Sequence, residues 1–346
     1  MKLSSLASRC RSWSELKAHV VFEVKVLLLE WKALLFGLAW QYIHNIFHNT
    51  AYWMQSKLSI AQRMPLYDLG FELLPELTES EAHVSEYLVF GGIFGPSILL
   101  FVSVLVIKPS SPSAPPRFFS LIAKRVLLQT ALCLVYLHLY ASRRHLIAQF
   151  VQMLRCISFM VTSLPGPAAH CRPTFNQTCI DAFPNDPSAS FRCVVPNPDF
   201  QPPMTAGTIF GHVDALNGCG DLMFSSHTTY TLSMILAVWK YWRSVPLLVL
   251  MLVLQIITAF FIVAARKHYS LDVIAALYVV PMVWFLLEAY HKDLNHADAV
   301  VSRESIQNAY GLDIPHESRL ESNQATLVQC EMTAFHEAQT PIVVQS

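Results

Sequence analysis

Charge is scarce in this chain. Only 14% of its 346 residues are Asp, Glu, Lys or Arg, whereas soluble domains carry about a quarter. With 53% hydrophobic residues, that shortage excludes an ordinary soluble protein and indicates an integral membrane protein with polar ends. An excess of either sign is also missing: 24 basic residues balance 24 acidic ones, so nothing favours a polyanion and nucleic acid is excluded as a partner. The first 23 residues lack an unbroken apolar core, carrying Arg9, Arg11, Glu15, Lys17 and Glu23 throughout. No cleavable signal peptide is therefore expected, and the first hydrophobic helix is expected to be the anchor. Cysteine is not abundant, but Cys171, Cys179, Cys193 and Cys219, four of the eight, fall in or beside one polar loop. If that loop is luminal, disulfides are permitted, and their three pairings stay open.

Apolar stretches of about 20 residues match one bilayer crossing. They predict spans near 33–53, 87–107, 145–164, 222–241, 245–265 and 272–290. The fold class is all-α: a polytopic membrane protein with six transmembrane helices. Residues 1–32 form an amphipathic cytosolic lead-in, 33–290 the membrane domain, and 291–346 a tail without apolar periodicity, expected to be a disordered cytosolic segment. A link over 108–142 begins with a proline- and serine-rich run, and its residues 118–142 are expected to lie along or dip into the cytosolic interface. Lys108, Arg117, Lys124, Arg125, Arg143, Arg144, Lys240, Arg243 and Lys292 then share the cytosolic side. Both termini are cytosolic, and the loop 165–218, with its Asn176-Gln177-Thr178 sequon, is luminal. His44 and His48 have the i, i+4 spacing of metal ligands, but no third ligand lies nearby; beside Tyr42 and Trp53 they read as interfacial histidines, and no metal is assigned.

The chemistry concentrates between Cys219 and Asp272. Cys219-Gly220-Asp221-Leu222-Met223-Phe224-Ser225-Ser226-His227-Thr228 precedes one apolar segment, and Ala265-Arg266-Lys267-His268-Tyr269-Ser270-Leu271-Asp272 follows the next. A hairpin of two spanning helices returns the chain to the side it left, so His227 and His268 share one membrane face, the luminal one. His268 and Asp272, four apart, fall on one helix face. A carboxylate on one imidazole nitrogen fixes the tautomer and makes the other nitrogen a better nucleophile. His227 is then the proton donor and acceptor, and Arg266 and Lys267 place positive charge where a phosphate would bind. These are the parts of phosphoryl transfer through a phosphohistidine. The blander alternative, polar residues capping helices at the interface, suits a lone histidine better than two with an acid and two cations.

These two segments resemble signature motifs of the sphingomyelin synthase family, within the lipid phosphatase superfamily. Leu154-Arg155-Cys156-Ile157-Ser158-Phe159-Met160-Val161-Thr162-Ser163-Leu164-Pro165-Gly166-Pro167 is similar to the family's arginine-containing motif, and Leu66-Tyr67-Asp68-Leu69-Gly70-Phe71 to its first luminal motif. The similarity covers roughly residues 30–290. Gln41-Tyr42-Ile43-His44, the run Asp68 to Leu77, Ser225-Ser226 and Arg266-Lys267-His268-Tyr269-Ser270 look closer to plant-type inositol phosphorylceramide synthases. The resemblance implies a lipid-phosphatase-like helical core in a Golgi membrane. It implies transfer of phosphoinositol from phosphatidylinositol to the primary hydroxyl of ceramide, with release of diacylglycerol. His268 would be the nucleophile, Asp272 its orienting partner and His227 the general acid and base, with no metal or organic cofactor. Asp68, Arg155, Asp221, Ser225, Ser226, Arg266 and Lys267 would surround the substrates.

The neighbouring reading is a transferase taking phosphatidylcholine or phosphatidylethanolamine, a sphingomyelin or ceramide phosphoethanolamine synthase. A lipid phosphate phosphatase would use water in place of ceramide, but its Lys-x6-Arg-Pro motif is absent, since the nearest base upstream of Arg172-Pro173 is Arg155. A non-enzymatic transporter would accommodate Arg155 in an apolar span, yet that arginine matches the family motif. Two departures stand out. The 118–142 stretch exceeds the family's usual link, and Ser226 occupies a position that is glycine in many members of the wider family. A bulkier residue beside His227 is expected to tune head-group choice. Ser226→Gly should therefore change the relative use of inositol, choline and ethanolamine donors, and unchanged ratios would exclude that role.

Overall fold

A computed structural model describes residues 10–29, 31–108, 118–134, 160–186, 188–212, 218–220 and 222–290. The longer helices are α1 (Trp13–Leu29), α2 (Trp31–Gln55), α3 (Ser80–Val106), α4 (Phe119–Leu134), α5 (Ser226–Trp242), α6 (Val245–Ala264) and α7 (Ser270–Tyr290). The chain is mostly helical, as its hydrophobic patterning predicts. An antiparallel ribbon, β1 (Thr174–Phe175) with β2 (Val194–Val195), is the exception, in the loop expected to be luminal.

Among the described residues, α3, α6 and α7 are long and apolar enough to cross a bilayer. Helix α2 stands where the first span is expected. Helix α5 has 17 residues, about 26 Å at 1.5 Å per residue, and starts four residues later than predicted because Ser225 caps it. Most of the span expected at 145–164, and the tail 291–346, lie outside the described residues.

The chain forms two compact units. The first comprises residues 1–32, 99–124 and 289–346. Its described part is organised by α1. Arg11 Nη1 donates to the carbonyls of Val104, Leu105 and Ile107 at 2.8, 3.0 and 3.3 Å, covering the free carbonyl end of α3. Glu23, buried, accepts from the amides of Phe119 and Ser120, both at 2.9 Å, and so caps the start of α4. Burial pushes the Glu23 carboxyl up, while the two amides and the Ser120 hydroxyl pull the other way. Lys108 joins Glu15 at 2.9 Å. The lead-in segment thus closes the helix ends on both sides of the proline-rich run that follows α3.

The second unit comprises residues 33–98 and 125–288. Helices α5 and α6 form the predicted hairpin, turned by Arg243 in a left-handed conformation (φ 50°) and restarted by Pro246 in the first turn of α6. Helix α6 buries Met251, Gln255, Thr258 and Ile262, spaced by three or four residues, and exposes Val249, Leu250, Val253, Ile256, Ile257 and Phe260. A helix with polar groups on its packed face and an apolar outer face fits a lipid surround. Helix α3 widens to π-helical turns over Leu88–Phe94, next to Pro96, whose ring would strike the carbonyl four residues back in a regular α-helix. Of the stretch expected to lie along or dip into the interface, residues 118–134 are described and contain α4, which packs on α7. Arg125 is fully buried over the Trp284 ring of α7 at 3.9 Å and donates to the Trp284 carbonyl at 3.1 Å, and Gln129 donates to the Val280 carbonyl at 3.0 Å.

The structure chooses between the three cysteine pairings: Cys171 bonds Cys219, and Cys179 bonds Cys193. The first ties the loop directly to the start of the His227 motif across 48 residues. Non-reducing peptide mapping should recover these two bridges, and either alternative pairing would refute them. Cys219→Ser should lower stability by about 2–4 kcal/mol, read as a reduced unfolding midpoint in detergent.

Candidate active site

Three backbone segments converge on the two histidines. His227 lies in the first turn of α5, whose N-cap Ser225 accepts from the Thr228 amide at 3.4 Å. The short turn after α6 delivers His268 just before α7. The two imidazole rings lie 5.7 Å apart between centroids at 74°, edge to face. The hairpin prediction that both histidines share one end is therefore met at ring contact.

Asp272 sits in the first turn of α7, and its Oδ2 is 3.4 Å from His268 Nδ1. The same oxygen accepts from the Tyr269 amide at 3.0 Å, and Oδ1 accepts from the Met223 amide at 2.8 Å. The Asp272 carbonyl accepts from the Ser225 amide at 3.1 Å. One residue thus holds the His268 ring, the loop before His227 and the cap of α5. The Met223 bond has a structural price, since Met223 is held at φ 109°, a region L-residues seldom occupy. Burial is nearly complete: His268 is 4% exposed and Asp272 1%.

Asp68 works one turn away. Its Oδ1 accepts from the Gly70 amide at 2.8 Å and the Ser270 hydroxyl at 2.7 Å, and its Oδ2 accepts from the Ser270 amide at 2.9 Å. Asp68 therefore caps both the short helix Leu69–Leu73 and α7. Gly70 is required here, because a Cβ would come within 2.1 Å of Ser270 Oγ. Tyr269 closes the wall, accepting from the Leu66 amide at 3.0 Å and donating to the Pro165 carbonyl at 2.8 Å. Burial pushes its phenol up to about 12, and the Asp272 and Asp68 charges add to that, so it stays a donor. On the other flank Gln55 donates to Ser163 Oγ at 2.5 Å and the Leu164 carbonyl at 2.7 Å. Gln55 also crowds any side chain at Gly220, whose φ of 92° would strain one anyway.

The two cations expected to meet phosphate have protein partners. Arg266, in a left-handed conformation (φ 54°), stacks on Phe71 at 4.4 Å and donates from Nη2 to the carbonyls of Phe71 and Leu74 at 2.9 and 3.1 Å. Lys267 pairs with Glu86 of α3 at 2.5 Å, and Glu86 also meets His83 at 2.9 Å. Both cations thereby fix the turn that carries His268. Ser225 is fully buried as a cap, and Ser226 is half-buried beside His227. Arg155 and Asp221 lie outside the described residues. The sequence reading assigned no role to Tyr269, Gln55, Met223 or Glu86. Of these only Glu86, a carboxylate immediately before the apolar run 87–107, carries a readable signal. His170, Cys171 and Cys219 cluster within 4.8 Å, but both sulfurs are in the disulfide.

Asp272→Ala would strand the Met223 and Tyr269 amides in a buried site, at about 1–3 kcal/mol each. The unfolding midpoint in detergent should fall clearly, and by less for Asp272→Asn, which keeps one acceptor. An unchanged midpoint for Asp272→Ala would show that the carboxylate does not organise the loop.

Residues 218–290, from the glycine before Cys219 to the end of α7, match the family described as PAP2 superfamily C-terminal. The chain is 32% identical to a phosphatidylinositol:ceramide inositolphosphotransferase of Oryza sativa subsp. japonica over 276 residues, 80% of this chain and 71% of that one. It is 29% identical to phosphatidylinositol:ceramide inositolphosphotransferase 3 of Arabidopsis thaliana over 277 residues, 80% of each chain. With phosphatidylcholine:ceramide cholinephosphotransferase 1 of Homo sapiens the identity is 26% over 177 residues, 48% of this chain and 38% of that one. The paired histidines, their buried aspartate and this extent of similarity place the chain in the phosphatidylinositol:ceramide inositolphosphotransferase family, with a PAP2-type C-terminal region over residues 218–290.

Proposed function

We propose that this protein transfers phosphoinositol from phosphatidylinositol to the primary hydroxyl of ceramide, giving inositol phosphorylceramide and diacylglycerol. The observation that carries the reading is the His227–His268 ring pair with Asp272 behind His268. Asp272 at Nδ1 leaves Nε2 of His268 as the attacking atom. In the first half, Nε2 forms a bond to phosphorus while the bond from phosphorus to the diacylglycerol oxygen breaks, and His227 supplies the proton that oxygen needs. In the second half, His227, now neutral, takes the proton of the ceramide hydroxyl. That oxygen attacks phosphorus, the phosphorus–nitrogen bond breaks, and both histidines return to their starting states.

The inositol head group is favoured over choline by the extent of similarity: the rice and Arabidopsis relatives match across 80% of this chain, the human cholinephosphotransferase across 48%. The membrane arrangement follows the same reading. Six spans, cytosolic termini and a luminal active site in a Golgi membrane would put the two disulfides in an oxidising compartment, where they persist. Asp221, Arg155 and Ser226 are assigned to the substrate pocket by motif. Asp68, Arg266 and Lys267 are assigned to shaping it, through the contacts they make.

The test is direct. Detergent-solubilised protein is incubated with labelled ceramide and each phospholipid in turn, and the product is identified. Phosphatidylinositol should give inositol phosphorylceramide, while product from phosphatidylcholine or phosphatidylethanolamine alone would reassign the head group. His227→Ala and His268→Ala should each reduce transfer by at least about a hundredfold. Product that survives both changes would end the two-histidine mechanism.

A further inference from the structure

Arg63 ends the short turn Ala61–Arg63, just before the Asp68 motif. It is 7% exposed, and its Nε and Nη1 are sealed from solvent without a hydrogen-bond partner. Among the described residues no carboxylate pairs with it. Its described side-chain contact is the ring of Phe200, 4.1 Å below the guanidinium. Stacking uses the flat face of a guanidinium and leaves its N–H edge unsatisfied, and an uncompensated buried cation is costly. Arg125 and Arg266, the other described buried arginines of this unit, each leave one nitrogen unsatisfied as well, but both donate from Nη2 to backbone carbonyls. Among the described residues no acceptor meets Nε or Nη1 of Arg63.

Its position explains what would use it. Three residues on, the Leu66 amide bonds the hydroxyl of Tyr269, the neighbour of His268. On the other side the Phe200 ring lies 5.3 Å from Tyr52, which packs with Cys171 and Cys219 at the start of the His227 loop. Arg63 is thus bracketed by the segments leading to each histidine. We propose that Arg63 binds the anionic phosphoryl head group of the phospholipid donor, donating hydrogen bonds to its charged oxygens. This rests on the phosphotransferase reading above and adds a residue that neither motif contains. The chemistry is that of a phosphate oxygen, which a lipid head group or free phosphate can supply.

Three forms of the full-length protein in detergent test it: wild type, Arg63→Gln and Arg63→Lys. Arg63→Gln should raise KM for phosphatidylinositol about tenfold or more, leave KM for ceramide and kcat near wild type, and keep the unfolding midpoint. Arg63→Lys should recover part of the donor affinity, because it restores charge without the planar fork. Mixed micelles containing phosphatidylinositol should raise the unfolding midpoint of wild type but not of Arg63→Gln. An unchanged donor KM in Arg63→Gln overturns the proposal. So does a joint rise of both KM values with a lower midpoint, which would make Arg63 a structural plug on Phe200. A shift produced by inorganic phosphate but not by the phospholipid overturns the lipid assignment. If wild type transfers nothing yet phosphatidylinositol still gives an Arg63-dependent shift, the head-group site stands and the transferase reading falls.

Discussion

The carboxylate of Asp272 is the point on which the rest of the site depends. A buried negative charge is tolerated only where donors surround it; here the amides of Met223 and Tyr269 donate to it, and His268 Nδ1 lies 3.4 Å away. It also lies at the positive end of α7, where a carboxylate is favoured. Asp68 shares that helix end by taking the Ser270 amide, so two acids from distant segments divide the free N–H groups between them. The same charge holds a left-handed Met223 in place and lies against Nδ1 of His268. Folding of the loop and orientation of the His268 ring are one event.

A second constraint is the set of free backbone groups at the helix ends, which no helix satisfies and each of which needs a partner. Side chains distant in sequence provide it: Arg11 at the end of α3, Glu23 at the start of α4, and Arg266 on the Phe71 and Leu74 carbonyls. These charges have a structural duty that needs no ligand. Arg63 differs in that none of its guanidinium nitrogens donates to a described backbone carbonyl.

Much of the centre was legible because it is local or follows from one topological step. His268 and Asp272 are four residues apart, which puts them on one face whatever else the chain does, and the hairpin length alone brings His227 beside them. The partners of Arg266 and Lys267 were not legible. Reading them as phosphate-binding charges assumed open side chains, whereas Glu86 and two backbone carbonyls, nearly 200 residues upstream, engage them. The disulfide pairing failed to emerge for the same reason, since spacing does not say which loop segments meet. The packing of α4 was not legible either: Arg125 and Gln129 lower its apolarity, yet both are buried as donors to α7 carbonyls.

The engagement of Lys267 has a consequence for catalysis on the proposed reading. A permanent free cation beside phosphorus would hold the donor lipid and the transition state about equally, and such uniform binding does not lower the chemical barrier. With Lys267 neutralised by Glu86, the charge that changes during reaction is the proton on His227. It is present when the diacylglycerol oxygen departs and absent when the ceramide hydroxyl must be deprotonated, so the positive charge follows the step that needs it. Ground-state affinity is then the task of a group set back from phosphorus. A buried arginine with an unsatisfied N–H edge, three residues from the Tyr269 wall, answers to that description and leaves the histidine pair to do the chemistry.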